Sequence, residues 1–190
     1  MRKADAIAVA ALDQVGGSST TDAGTLAGLI EKHARLAGAE EIYVTIAPDL
    51  SFDTRFIRIS KPTALADRFA VRASVAYKGN WVRRTRTFAR DGSGANVDAW
   101  FAATARSLEA GRSIASQLEQ KIEALSGAEM KGWMVEGCTG SYPLSVISSS
   151  RTPGKDTLTN GQYAVLTVEL VVDGAPWIGT TPLIVGKLSL

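Results

Sequence analysis

Between Val71 and Phe88 the chain reads VRASVAYKGNWVRRTRTF, and two of its arginines, Arg72 and Arg83, are spaced so that a hairpin would bring them together. With Lys78-Gly79 as a two-residue turn, Tyr77 faces Asn80, Val75 faces Val82, Ser74 faces Arg83, and Arg72 lies opposite Thr85. Strand side chains alternate between faces, so Arg72, Ser74 and Ala76 share one face with Trp81, Arg83 and Thr85. A guanidinium has donors only and stays charged. Two of them suit an anionic ligand such as a carboxylate or phosphate, or an internal carboxylate partner, and they cannot hold a metal cation. Trp81 falls on the same face and is the tryptophan placed to meet a ligand, whereas Trp100, Trp133 and Trp177 read as core or interface.

Other reactive side chains are scarce. The chain has one cysteine and one histidine. Cys138 lies in the Gly-rich turn Gly137-Cys138-Thr139-Gly140. A thiol nucleophile needs a base or a setting that stabilises the thiolate, and no histidine is near it in sequence; the plainer reading is a small, partly buried residue. His33 shares a helical stripe with Leu26, Leu29 and Ile30, which makes it a packed or boundary residue. A single cysteine excludes an internal disulfide and fits a reducing cytoplasm. A single histidine excludes His-rich zinc sites.

The chain has 190 residues, 45% hydrophobic and 21% charged, the make-up of one globular domain over 1–190. No apolar run reaches the roughly 18–20 residues that span a bilayer, and the start MRKADAIAVAALDQV is an amphipathic helix rather than a signal peptide, because Asp5 and Asp13 interrupt it. The expected location is the cytoplasm. Charge is uneven: residues 55–90 carry ten cations against Asp67 alone, a net +9, which leaves −7 for the rest of a chain whose total is +2. Such a block either attracts an anion or is spread along solvated strand faces.

The positioning elements follow from periodicity. Helices are expected at Lys3–Val15 and about Asp22–Leu36, the second capped from Ser18–Thr21 and closed by Gly38. Strands are expected at Glu41–Ile46, Arg55–Ile59, Arg68–Tyr77 and Asn80–Phe88. After Asp91-Gly92-Ser93-Gly94 the order recurs: a helix from Asn96 to about Ala110, another at Ser113–Leu125, then strands at Met130–Val135, Leu144–Ser148, Tyr163–Val172 and Trp177–Leu188. Ser148–Gly161 reads as an exposed loop. Each half, about 1–90 and 91–190, is ααββββ, an α+β architecture with helices packed on a mostly antiparallel curved sheet.

This order, the hairpin and the closing segment TNGQYAVLTVELVVDGAPWIGTTPLIVGK resemble the methionine aminopeptidase, Xaa-Pro dipeptidase and creatinase family, with its pita-bread fold. The resemblance covers nearly the whole chain, and the hairpin is its most specific part. In that family the hairpin carries two metal-binding aspartates, and both matching positions here are arginine, Arg72 and Arg83. The ligand histidine would fall near Gly137–Gly140, where none is present. The first ligand glutamate corresponds to Glu169, and the last falls at Gly179 or a close neighbour. The resemblance therefore implies a degenerate member with no metal and no cofactor. Its ligand-binding residues would be Arg72, Arg83, Trp81 and Glu169. No catalytic residue is assigned; Glu169 and Cys138 are the carboxylate and thiol available for one.

Three functions are consistent with this set. One is a pseudo-aminopeptidase that binds an anionic small molecule or protein partner through the former active-site cleft. A second is a metal-independent, creatinase-like hydrolase of a small carboxylated amide or amidine, with Arg72 and Arg83 as the anion clamp. A third is an RNA- or ribosome-associated protein using the basic block, which lacks a basic tail and clear aromatic–basic interleaving. A homodimer is consistent with the family, and no membrane partner is implied.

Overall fold

A computed structural model describes residues 1–137, 145–151 and 156–186. The chain divides into two compact units, Met1–Gly94 and Ala95–Leu190. The first contains α1 (Arg2–Gly16), α2 (Ala23–Leu36), β1 (Glu41–Ala47), β2 (Arg68–Tyr77) and β3 (Asn80–Ala89). Its strands pair antiparallel in the order β1-β2-β3. The second contains α3 (Ala95–Arg106), α4 (Ile114–Ile122), β4 (Ala128–Gly137), β5 (Ser145–Ser149), β6 (Tyr163–Val172) and β7 (Ala175–Ile184). Here the antiparallel order is β7-β6-β4-β5. Among the described residues no helix is long and apolar enough to cross a membrane.

In the first unit the two-residue period of the strands splits the sheet into two chemically distinct faces. Ile42, Val44 and Ile46 of β1, Val71, Ala73 and Val75 of β2, and Val82 of β3 pack against Ile7, Ala11 and Val15 of α1 and Leu26 and Ile30 of α2. Burying each large aliphatic side chain contributes roughly 1.5–3 kcal/mol. His33 sits half-buried at the margin of this helical layer. The opposite face carries Tyr43, Arg72, Ser74, Ala76, Trp81, Arg83 and Thr85.

One ion pair lies inside the helix layer. The Arg84 Nε and Nη2 donate to the two carboxylate oxygens of Asp5 at 2.6 and 2.8 Å, and the Asp5 side chain is only 8% exposed. This fork holds α1 on β3.

Local chemistry departs from the sequence-based expectations at several points. Asp22 is the N-cap of α2, accepting from the Thr25 N–H at 2.8 Å, so the cap lies one residue beyond Ser18–Thr21. Its second oxygen accepts from Thr63 N at 3.2 Å, which also fastens the loop before β2. That second bond explains why an aspartate stands here. Gly38, at φ 99°, ends α2 as expected, with Gly38 N bonded to Arg35 O and Ala39 N to Ala34 O. Arg55–Ile59 is not a strand: only Ile57 bridges to Ile46, so the first unit has three strands rather than four. Helix α3 begins at Ala95, which places Asn96 inside the first turn rather than at the cap. It ends at Arg106, where Ser107 turns its hydroxyl back onto Ala103 O at 2.8 Å. Helix α4 ends at Ile122, with Ser113 as its N-cap and the Asp156 carboxylate also accepting from Ser113 Oγ and Ile114 N.

Removing one partner of the buried fork strands the other charge, so Asp5→Ala is expected to lose about 3 kcal/mol in urea unfolding, and Asp5→Leu with Arg84→Met to lose less. The Asp22 pKa is held below the usual carboxylate range, first by the Thr25 backbone N–H and then by that of Thr63. A depressed folded-state pKa stabilises the fold above the unfolded value and is lost on acidification. The melting-temperature gap between wild type and Asp22→Ala should therefore be full at neutral pH and shrink as the pH falls below about 4.

Candidate functional site

The β2–β3 hairpin adopts the register derived from its turn. Lys78 and Gly79 both have positive φ, 48° and 70°, the signature of a two-residue turn whose twist matches the strands. Tyr77 faces Asn80, Ser74 faces Arg83, and Arg72 faces Thr85. Arg72 and Arg83 are thus diagonal neighbours on the face opposite the helices, with Trp81 in the next row. All three are half-buried.

The structure adds partners that the sequence did not single out. The Arg72 Nε donates to Thr85 Oγ1 at 3.3 Å, and its guanidinium lies 4.0 Å from the centroid of the Phe56 ring. Phe56 comes from the segment 55–59, whose work is to cover Arg72 rather than to add a strand. Strand β1 brings Tyr43 opposite Ser74, and the Tyr43 ring stacks on Trp81 with centroids 5.6 Å apart and planes 11° from parallel. The small side chains Ser74 and Ala76 lie in the middle strand between them, both buried at 3% exposure. Tyr43 donates to Glu41 Oε2 at 3.3 Å. Finding Tyr43 from sequence required knowing that β1 pairs with β2; the alternation in EIYVTIA was the available signal.

In the second unit Glu169 lies on β6, opposite Gly132 of β4 and Ile178 of β7. The Arg151 Nη2 approaches its Oε2 at 3.5 Å, an ion pair within this unit that sequence reasoning did not foresee. Glu136 of β4 shares the sheet face of Glu169, because the Val165 it opposes is four residues from Glu169. Its side chain is buried. It is a second carboxylate that sequence reasoning missed. Thr167 and Thr180, also on this face, share a buried hydroxyl hydrogen bond of 2.9 Å. Cys138 and Thr139-Gly140 lie outside the described residues. Trp100, Trp133 and Trp177 are buried, at 8%, 8% and 4% exposure, and Trp100 Nε1 donates to Lys121 O at 2.9 Å.

No protein-family profile and no curated protein sequence matches the chain. Solved structures do. Methionine aminopeptidase from Rickettsia prowazekii superposes with a TM-score of 0.66 at 12% identity, over 99% of this chain and 92% of that one. X-Pro aminopeptidase from Thermotoga maritima gives 0.66 at 13% identity, over 99% and 58%. A variant of Escherichia coli aminopeptidase P gives 0.69 at 13% identity, over 99% and 52%. The chain has the pita-bread fold. It spans nearly all of the methionine aminopeptidase and little more than half of the other two.

The side chains of this pita-bread chain do not fit the dinuclear metal of the family that it resembles. The two hairpin positions hold guanidinium groups, which repel cations. Glu169 remains, but an arginine faces it. The last ligand position is read as Gly179 or a close neighbour, and Gly179 itself is on the face away from Glu169. Gly179 opposes Val168, not Glu169, and a Cβ built on it would lie 2.4 Å from Cζ of Phe101 on α3. That close approach is why the residue is glycine. The positions of β7 that share the Glu169 face are Ile178 and Thr180. Among the described residues no three His, Cys, Asp or Glu side chains gather as a metal-holding group.

Gly179→Ala should therefore overpack the α3–β7 contact and lose about 1–3 kcal/mol, with Phe101→Leu in the same chain restoring part of it. Thermal unfolding of the two variants reads this; an unchanged melting temperature in Gly179→Ala would show that Phe101 is not seated there.

Proposed function

We propose that this chain is a pita-bread protein that has exchanged metallopeptidase chemistry for binding, and that it takes an anionic ligand or partner on the Arg72–Arg83 face. One observation carries the reading: the hairpin register sets two guanidinium groups diagonally on one face, at the positions where the resembled family keeps two aspartates. Guanidinium groups set diagonally on one strand face can both reach an anion and give it charge-assisted hydrogen bonds. Arg72 is already oriented by Thr85 and Phe56, so less side-chain entropy is lost when a ligand binds.

The same structure weakens the nucleic-acid reading. Of the ten cations in 55–90, Arg55 pairs with Asp53, Arg68 with Asp91, Arg84 with Asp5 and Arg86 with Asp13. Arg90 is spent on Thr20 O at 2.9 Å. Four of the ten cations are thus answered by carboxylates of their own unit, and α1 supplies two of these, Asp5 and Asp13.

Calorimetric titration with inorganic phosphate and with acetate tests the proposal. The wild type should bind at least one of them, and Arg72→Gln with Arg83→Gln should weaken that binding about tenfold or more while still unfolding cooperatively. Stoichiometric zinc, manganese or cobalt in the purified protein, or unchanged anion binding in the double variant, would overturn it.

A further inference from the structure

Resting on that reading, we propose that the anion held at Arg72 and Arg83 belongs to an aryl-alkyl carboxylate, whose ring packs on the Tyr43–Trp81 stack. Three rows of side chains cross the sheet face: Glu41, Ala76 and Trp81; then Tyr43, Ser74 and Arg83; then Thr45, Arg72 and Thr85. Successive rows are about 7 Å apart. Tyr43 therefore shares the row of Arg83 and lies one row from Arg72, while Trp81 lies one and two rows from them, the reach of a ring joined to a carboxylate by a short chain.

The aromatic end is built rather than incidental. Tyr43 and Trp81 come from strands that are not neighbours, and they meet only because Ser74 and Ala76 between them are small. Tyr43 keeps 44% of its surface exposed in the folded chain, so its ring offers a hydrophobic face to solvent. Stacking holds that ring nearly parallel to Trp81, and its hydroxyl is tied to the Glu41 carboxylate. Two consequences follow. A planar apolar group has a fixed ring to pack on, with the geometric preference that aromatic pairs show. The Glu41 carboxylate marks the far end as unfavourable for an anion, so a carboxylate is directed to the arginine end and the ligand has one orientation. Phosphate or acetate alone would use only half of this surface.

Calorimetric titration of the full chain with 3-phenylpropionate, propionate, 3-phenylpropanol and inorganic phosphate separates the two readings. Phenylpropionate is expected to bind about tenfold more tightly than propionate, the worth of one aromatic contact, and phenylpropanol to bind weakly. Tyr43→Ala should erase the phenylpropionate advantage and keep propionate binding; Tyr43→Leu, which retains an apolar side chain at that strand position, guards against a folding defect and should also reduce the advantage. The Arg72→Gln, Arg83→Gln double variant should lose both carboxylates. Equal binding of phenylpropionate and propionate would overturn the aryl preference and leave the anion site standing. Phenylpropanol binding as tightly as phenylpropionate would overturn the anion site instead, and no binding by any of the four would overturn both.

Discussion

The register of the β2–β3 hairpin is the constraint on which the site depends. Side chains in a strand alternate with a period of two, so a slip of one residue would send Arg72 and Arg83 into the helix layer and bring Ala73 and Arg84 out. Two features prevent the slip. The Lys78-Gly79 turn has both residues at positive φ, which sets the pairing at Tyr77 and Asn80. The helix-facing residues Val71, Ala73, Val75 and Val82 are almost wholly buried, so any other register would place arginines against Ile7, Leu26 and Ile30. The Arg84–Asp5 fork adds a further check, since it forms only when Arg84 faces α1.

The same alternation accounts for the uneven distribution of chemistry. In the first unit the helix-side face is mostly aliphatic, with Arg84 and Arg86 paired to Asp5 and Asp13 of α1, and the other face is basic and aromatic. In the second unit Phe101 fills the space over Gly179 on one face, while Glu136, Thr167, Glu169 and Thr180 lie on the other. Where the resembled family would place acidic metal ligands, this chain keeps carboxylates in the second unit and cations on the hairpin. A guanidinium pair neither activates water as a metal would nor moves a proton at neutral pH, and the proposed binding role rests on that chemistry.

Much of the architecture was legible without coordinates. Strands β2 and β6 begin and end where alternation placed them, and all four helices lie where apolar residues recur at helical spacing. The misses have physical causes. Arg55–Ile59 has the composition of a strand, yet it meets β1 through the single bridge Ile57–Ile46, and the chain just beyond it is tied to Asp22 by Thr63 N. The cap of α2 was misplaced by one residue and that of α3 by two, because several neighbouring polar residues were equally good candidates; at α2 the distant contact of Thr63 N on Asp22 selected among them. Gly179 looked like a lost ligand because counting along β7 finds a neighbourhood but not a face; pairing with β6 supplies the face.

Local rules decided the hairpin: a turn residue that tolerates positive φ, alternation, and the inability of guanidinium to coordinate a cation were all readable in VRASVAYKGNWVRRTRTF. Those rules also fixed which side chains of β2 and β3 share a face, since period-two geometry acts within a few residues. The partners of those side chains were decided elsewhere. Tyr43 reached Trp81, Phe56 reached Arg72 and Asp5 reached Arg84 across separations that no local pattern encodes. Such contacts depend on which strands pair and which helix covers them, and that choice is made by burial of the whole apolar set rather than by any short segment.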